Sequence, residues 1–163
     1  KSGKRKRSVS IRKFFKSYKL VDKKKDEFIE SITLNIPPKG AHFNFEKVSK
    51  RTFLDIASVN STIFIETKKD IINNVGLSAG GVAPIPLYLK DTCAYLTDKI
   101  ISTSVVKSAA GIAIKEISPI SDARGSAEYK SLLLKQLIFA HFIVLFPQQI
   151  DELACMTDKE ALP

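Results

Sequence analysis

The hydrophobic pattern of this chain changes its period near Leu87, and that change restricts the possible folds more than any other feature of the sequence. Before Leu87, apolar residues alternate with polar ones or form short β-branched runs, which is typical of strands. After Leu87, apolar residues recur at helical spacing. Strands followed by helices predict an α+β fold, in which an antiparallel sheet of three to four strands packs against about three helices.

Four segments before Leu87 are candidate strands. Residues 28–36 and 43–47 alternate between apolar and polar positions, and residues 56–65 are rich in β-branched side chains. Residues 71–79 form a further candidate, which ends at Gly80 and Gly81. Because the connections between the later strands are short, they predict an antiparallel meander.

Three segments after Leu87 are candidate helices. Residues 92–96 and 103–117 show helical spacing, and residues 132–146 are almost entirely apolar. The last segment is shorter than a membrane span and contains Lys135 and His141, so it is predicted to be a buried helix and not a membrane anchor. Asp122 or Ser126 is placed to cap it, and residues 8–18 are predicted to form a short amphipathic turn.

The net charge of +9 is concentrated at one end of the chain. Residues 1–25 contain 12 Lys and Arg against the single acid Asp22, a local charge of +11, and the remaining 14 basic and 16 acidic residues sum to −2. This basic segment motivates one alternative function, a nucleic-acid-binding module. No stacking platform of aromatic residues interleaves with the charges, so nucleic acid is a disfavoured partner.

Cysteine and histidine usage argues against a disulfide framework and against metal chemistry. Cys93 and Cys155 are far apart, which predicts two packed thiols in a reducing compartment, and the charged amino terminus lacks the apolar stretch of a secretory signal. A cytoplasmic location is therefore predicted. His42 and His141 share no ligand spacing, so no metal site and no catalytic residue is expected, and His141 is predicted to be a hydrogen-bonded core residue.

Three ordered segments resemble the carboxy-terminal part of one subunit family. Residues 10–18 read Ser-Ile-Arg-Lys-Phe-Phe-Lys-Ser-Tyr, residues 47–51 read Lys-Val-Ser-Lys-Arg before Asp-Ile-Ala, and residues 122–129 follow the pattern Asp-x-Arg-x-Ser-Ala-x-Tyr. In this order they are similar to the FAD-carrying subunits of xanthine-dehydrogenase-type molybdenum hydroxylases, the group that includes xanthine dehydrogenase and carbon monoxide dehydrogenase. Ser17 stands where the family usually has Gly.

The resemblance implies a division of the chain into three parts. Residues 1–40 would be the end of the FAD-binding domain and a linker, residues 41–150 the carboxy-terminal α+β domain of the flavoprotein subunit, and residues 151–163 a tail. The chain lacks a pair of Gly-rich loops for the FAD pyrophosphate, and two cysteines cannot ligate a 2Fe–2S cluster. Most of the FAD contacts, the molybdenum cofactor and the clusters are therefore expected outside this chain.

The implied function is electron transfer within an oxidoreductase. The partners would be a molybdopterin-binding large subunit, an iron–sulfur domain or subunit and an upstream FAD-binding domain, all within a higher oligomer. Electrons would pass from the clusters through FAD to NAD or another acceptor, and this chain alone would be inactive. A pure subunit-docking domain, using residues 129–153, is a second alternative.

Four residues are candidates for the flavin site by resemblance. Ile29 corresponds to an apolar residue near the isoalloxazine ring, and Lys47 to a basic residue beside it. Lys50 and Arg51 begin a loop near the edge where the acceptor arrives. Each has a structural alternative, because an Ile in an alternating segment is often core and charged loops are usually solvated.

Seven further residues form the structural signature of the resemblance. Asp55 is expected to order the loop, and Gly80 with Gly81 to give a turn that needs positive φ or a close backbone approach. Asp122 and Arg124 are expected to form a local ion pair or to contact a partner domain. Ser126 and Tyr129 are expected to cap and pack the last helix.

Overall fold

A computed structural model describes residues 6–156 in two compact units, which divide between Lys39 and Gly40. The first five residues of the predicted basic segment and residues 157–163 lie outside the described part of the chain.

The first unit contains a short helix, α1 (Ile11–Phe14), and a small hairpin of β1 (Phe15–Ser17) and β2 (Leu20–Val21). The predicted amphipathic turn over residues 8–18 is therefore only partly correct. Ile11 is 70% and Tyr18 is 68% exposed, so the apolar residues do not share one buried face. Arg7 anchors the unit, since its guanidinium donates to both carboxylate oxygens of Glu27, at 2.8 and 2.7 Å.

The predicted strand over residues 28–36 is wrong. The segment has no regular secondary structure, and Ile32, Leu34 and Ile36 are 77%, 83% and 94% exposed. A strand needs a neighbouring strand for its backbone N–H and C=O groups, and none of the described strands pairs with this segment. The alternation indicated which side chains share a face, but it carries no information on whether another strand pairs with the segment.

The second unit is built on a four-stranded antiparallel sheet. Its strands are β3 (His42–Val48), β4 (Val59–Lys68), β5 (Ile71–Gly80) and β6 (Leu87–Tyr88), paired in sequence order. The turn between β4 and β5 consists of Lys69 and Asp70, both at positive φ, as the favoured two-residue hairpin turn requires. The predicted strand over residues 56–65 begins too early, because Ile56 belongs to the preceding loop and is 66% exposed.

Helices cover one face of the sheet. They are α2 (Lys90–Leu96), α3 (Thr103–Glu116) and α4 (Ala127–Leu145), followed by the short α5 (Glu152–Met156). Alternate residues of β4 are buried against them, starting at Val59, and the core continues through α4 at Leu134, Ile138 and Phe142. The predicted α+β architecture is confirmed, with the sheet of four strands and the three longer helices as its layers.

Side-chain caps fix the ends of these helices. The hydroxyl of Ser126 accepts a hydrogen bond from the Tyr129 amide at 3.1 Å, so Ser126, and not Asp122, caps α4. Helix α2 has no cap of its own, and the Glu116 carboxylate at the end of α3 accepts instead from the amides of Asp91 and Thr92, at 2.9 and 2.7 Å. Within residues 6–156, no helix is long and apolar enough to cross a membrane.

Both cysteines of the chain are buried and reduced in the second unit. The Cys93 sulfur accepts a hydrogen bond from the Leu77 amide at 3.2 Å, and Cys155 is 1% exposed on α5. They are packed thiols, as predicted.

Candidate functional site

Three of the predicted site residues lie together at the end of β3 and in the connection to β4. We call this segment, residues 47–55, the basic loop. Lys47 is on the exposed side of β3, and its ammonium donates to the carbonyl of Asp55 at 3.2 Å. Residues Lys47 to Thr52 line an open depression of about 350 Å³. Lys47, Lys50 and Arg51 bring three positive charges to this depression, and Asp55 brings one negative charge to the loop.

Asp55 organises the basic loop through backbone contacts. Its carboxylate accepts from the amides of Arg51 and Ile56, both at 2.9 Å, and lies 3.5 Å from the Arg51 guanidinium. These contacts lower the pKa of Asp55, chiefly through the hydrogen bond from the Arg51 amide. The Asp55 carboxylate therefore stabilises the loop to which it belongs.

A second segment, residues 121–126 before α4, forms what we call the signature turn. Asp122 and Gly125 exchange two backbone hydrogen bonds at 3.0 and 3.1 Å, and the Asp122 carboxylate accepts from the Arg124 amide at 2.8 Å. Gly125 has φ of 149°, and a side chain on it would collide with the ring of Tyr129, which packs against the turn. Backbone hydrogen bonds and the Asp122 carboxylate therefore both stabilise the turn.

The ion-pair partner of Asp122 is Lys130, and not Arg124 as one of the two predictions had it. The Lys130 ammonium lies 2.8 Å from the Asp122 carboxylate and donates to the carbonyl of Ile120 at 2.8 Å. Lys130 is 2% exposed, and its contact is the main cause of the lowered pKa of Asp122. Arg124 takes part through its backbone instead.

The basic loop and the signature turn touch each other directly. The Lys50 ammonium donates to the carbonyl of Ala123 at 2.6 Å, and the hydroxyl of Ser58 donates to the carbonyl of Arg124 at 2.9 Å. Two groups of residues that are far apart in sequence therefore form one structure. The Lys50 ammonium is fixed in place and is not a freely moving charge.

The two glycines at the end of β5 lie against the base of the same loop. Gly81 has φ of +85°, and a side chain on it would collide with the carbonyl oxygen of Ser58. A side chain on Gly80 would lie 2.9 Å from the amide group of Asn60. Gly81 thus combines a positive φ with a close backbone approach, and Gly80 shows a close approach to a side chain.

Ile29 is the one flavin candidate outside this arrangement. It belongs to the first unit, in the irregular segment that follows Arg7 and Glu27, and its side chain is 58% exposed. An exposed Ile is not a core residue of its unit, so the structural alternative for Ile29 does not apply within the described residues of that unit.

Sequence reasoning did not find Lys130, Ser58 or the surroundings of His141. A lysine in the first turn of an otherwise apolar helix was the available signal for Lys130. His141 is fully buried on α4, and its Nδ1 lies 3.0 Å from the side-chain nitrogen of Asn44, which also donates to Glu46 at 2.9 Å. His141 is therefore a hydrogen-bonded core residue as predicted, although its Nε2 has no partner in the described structure.

Comparison with known proteins gives the family. Residues 44–144 match the family model for the CO dehydrogenase flavoprotein C-terminal domain. The chain belongs to this family. The match covers most of the second unit, including the basic loop, the signature turn and nearly all of α4, and it confirms the family that the resemblance indicated. The first of the three segments, residues 10–18, lies outside the match.

Curated relatives extend the likeness beyond the family model. The glyceraldehyde dehydrogenase medium chain of Sulfolobus acidocaldarius is 29% identical over 136 residues, which is 83% of this chain and 48% of that protein. The carbon monoxide dehydrogenase medium chain of Hydrogenophaga pseudoflava is 24% identical over 132 residues, 81% of this chain and 46% of that protein. The chain thus spans about half the length of the curated relatives it matches.

Solved structures show the same fold. Carbon monoxide dehydrogenase from Hydrogenophaga pseudoflava, in a form that lacks the Mo-pyranopterin moiety, superposes with a TM-score of 0.79 at 22% identity over 83% of this chain and 47% of that chain. Quinoline 2-oxidoreductase from Pseudomonas putida 86 gives 0.68 at 22% identity over 85% and 48%. Over most of its length the chain therefore has the fold of chains in these two enzymes.

The chemistry available at the basic loop is electrostatic. Three cations around an open depression attract anions and stabilise negative charge that builds up beside them. Within residues 6–156, no group of three or more His, Cys, Asp or Glu side chains is arranged to hold a metal ion. The loop is thus suited to binding and charge stabilisation, with Asp55 as its internal counter-charge.

Proposed function

We propose that this chain is the carboxy-terminal part of the FAD-containing subunit of a molybdenum hydroxylase, and that its basic loop lies beside the flavin. One observation carries the proposal: in a domain of this family, an open depression is lined by Lys47, Lys50 and Arg51. The relatives are named as medium chains of glyceraldehyde and carbon monoxide dehydrogenases, which supports membership of an oxidoreductase assembly.

The residues present fit one edge of the cofactor and not the whole of it. Pockets that bind small molecules usually enclose most of the ligand surface, whereas the depression at the basic loop is open and about 350 Å³ in size. A cationic strand end is suited to the anionic edge of a flavin ring, with Lys47 as the residue that would hold it. For Ile29, which belongs to the first unit, a flavin contact stays a prediction from the resemblance. The pyrophosphate and adenine would be held by other segments.

When bound, FAD passes electrons between two-electron and one-electron partners. Lys47 would act on this process through its charge alone. Its ammonium is fixed by the Asp55 carbonyl at 3.2 Å, so it presents a positive charge at a defined place where negative charge gathers on reduction. Lys50 and Arg51 would attract an anionic acceptor such as NAD, as an electrostatic guide.

The assembly proposed here includes a molybdopterin-binding large subunit, an iron–sulfur subunit or domain and the FAD-binding segment. A cytoplasmic location agrees with two buried, reduced cysteines. The substrate pocket would lie on the large subunit, and the relatives' names cover aldehydes and carbon monoxide as well as heterocycles. An activity like that of xanthine dehydrogenase would be one example of oxidation of a heterocycle.

Replacing Lys47 tests the proposed role. In the purified assembly, Lys47→Met is expected to lower the two-electron potential of the flavin by about 20 mV, because one partly screened charge beside the ring is worth about 1 kcal/mol. Lys47→Arg keeps the charge and should leave the potential near that of the wild type. A spectroelectrochemical titration measures it, with Lys68→Met at the far end of β4 as the control. Equal potentials for Lys47→Met and wild type contradict the placement of Lys47.

A further inference from the structure

We propose that Asp122 and Lys130 are positioning residues for the basic loop, which they hold through the carbonyls of the signature turn. The inference deepens the proposed function and rests on it for its consequence at the flavin. Neither residue caps α4, because Ser126 does so.

The signature turn is held rigid by the ion pair between Asp122 and Lys130. Lys130 is buried, and its ammonium joins the Asp122 carboxylate to the carbonyl of Ile120. A buried ammonium keeps its position only where its donors are satisfied, so these contacts fix both ends of the pair. The other Asp122 oxygen takes the Arg124 amide at 2.8 Å, which sets the backbone between Asp122 and Gly125.

Two carbonyls in that backbone accept hydrogen bonds from side chains in or near the basic loop. The Ala123 oxygen accepts from Lys50, within the basic loop, and the Arg124 oxygen accepts from Ser58, three residues after its end. Ser58 is 3% exposed and begins the connection into β4. The turn therefore contacts the chain on either side of residues 51–57, through one charged and one neutral hydrogen bond.

A role limited to capping α4 does not need these contacts. Ser126 caps the helix by itself, and the Ser121 hydroxyl accepts from the Ala127 amide at 3.0 Å. The Lys50 and Ser58 contacts cross from residues 123 and 124 to another part of the chain, 73 and 66 residues away. Positioning of the loop explains them, and helix capping does not.

Amide hydrogen exchange on the full chain tests the proposal without any cofactor. The amides of Arg51, Ile56 and Ser58 are hydrogen-bonded within the loop or to β3, so they report its order. Asp122→Asn is expected to speed their exchange about tenfold, because a charge-assisted contact is lost. The amide of Ile72, bonded to the Lys99 carbonyl at 2.9 Å, should change less than about twofold.

A double-mutant comparison separates positioning from general destabilisation. Lys50→Met should loosen the same amides, and Asp122→Asn with Lys50→Met should exceed the larger single effect by less than about twofold, since both act through one contact. Asp91→Asn and Lys68→Met are matched controls, expected to leave the three amides unchanged. If Asp122→Asn does not fold, Lys50→Met on the exposed loop carries the test alone. Unchanged loop amides, or an equal acceleration at Ile72, overturn the proposal.

The flavin potential of the purified assembly separates this proposal from the function it rests on. Asp122→Asn should shift the potential in the same direction as Lys47→Met and by less, because Lys47 is attached to the loop through Asp55. If the loop amides loosen while the potential does not move, the positioning role stands and the placement of Lys47 beside the flavin is wrong.

Discussion

Replacing Gly81 with Ala is expected to destabilise the second unit by about 3 kcal/mol, one of the largest effects of a single change in this chain. Gly81 is at φ of +85°, which costs an Ala about 1 kcal/mol, and the added methyl group would collide with the carbonyl oxygen of Ser58. The backbone of Ser58 must then shift, and with it the base of the basic loop.

Urea denaturation followed by circular dichroism measures this change. Gly111→Ala is the matched control, since Gly111 lies within α3 and nothing would contact its added methyl group. That substitution should stabilise the chain by up to about 1 kcal/mol, because Ala is the better helix former. Equal stability of Gly81→Ala and wild type would show that the approach of Gly81 to Ser58 is not as close as described.

The second large effect is a loss of stability in mild acid that depends on His141. Burial lowers the pKa of His141 to about 4, while the charge of Glu46 opposes this shift only in part. In the unfolded chain the pKa is about 6.5, so the unfolded state binds a proton first as the pH falls. Stability is therefore fully present above pH 6.5 and decreases as the pH falls towards 4. Between pH 7.5 and pH 5 the loss is about 2 kcal/mol.

A variant that cannot titrate isolates this contribution. His141→Gln should be less stable at neutral pH but should lack the decrease between pH 7.5 and pH 5. His42→Gln, at the other histidine, should keep it. The carboxylates of Glu27, Asp55 and Asp122 also have lowered pKa values. Their contribution to folding stability is lost at lower pH, below about 4. The same decrease in His141→Gln and in wild type would contradict the assignment.

The order of elements could be predicted because it depends on local patterns. Strand β5 and helix α3 match their predicted ranges to within one residue, since their apolar residues follow the period of the element and turn residues end them. The segment 28–36 shows the limit of this reasoning. Its alternation is as regular as that of β3, yet a strand is defined by its neighbour, and that information is not local.

The candidate site could be predicted to the same extent. Lys47, Lys50, Arg51 and Asp55 lie within nine residues, so a local reading groups them and assigns Asp55 its ordering role. The contact of Lys50 with Ala123 joins residues that are 73 positions apart in the sequence, and no spacing rule predicts it. Asp122 likewise takes its cation from Lys130, eight residues further along the chain, where the sequence offered Arg124 as the nearer partner. The signature turn therefore appeared to be an identifying mark separate from the site, and the structure joins the two.

We propose that this chain is part of a flavin-containing assembly, in which it flanks a flavin that it does not hold alone. The most direct test is an affinity tag placed on this polypeptide in its source organism, followed by purification of the native assembly. Flavin released by acid is then measured by chromatography, with molybdenum and iron measured by mass spectrometry. We expect about one FAD per tagged chain together with molybdenum and iron, and no micromolar binding of FAD by the isolated 163-residue chain. A pure tagged assembly without flavin, or tight FAD binding by the chain alone, would contradict this account.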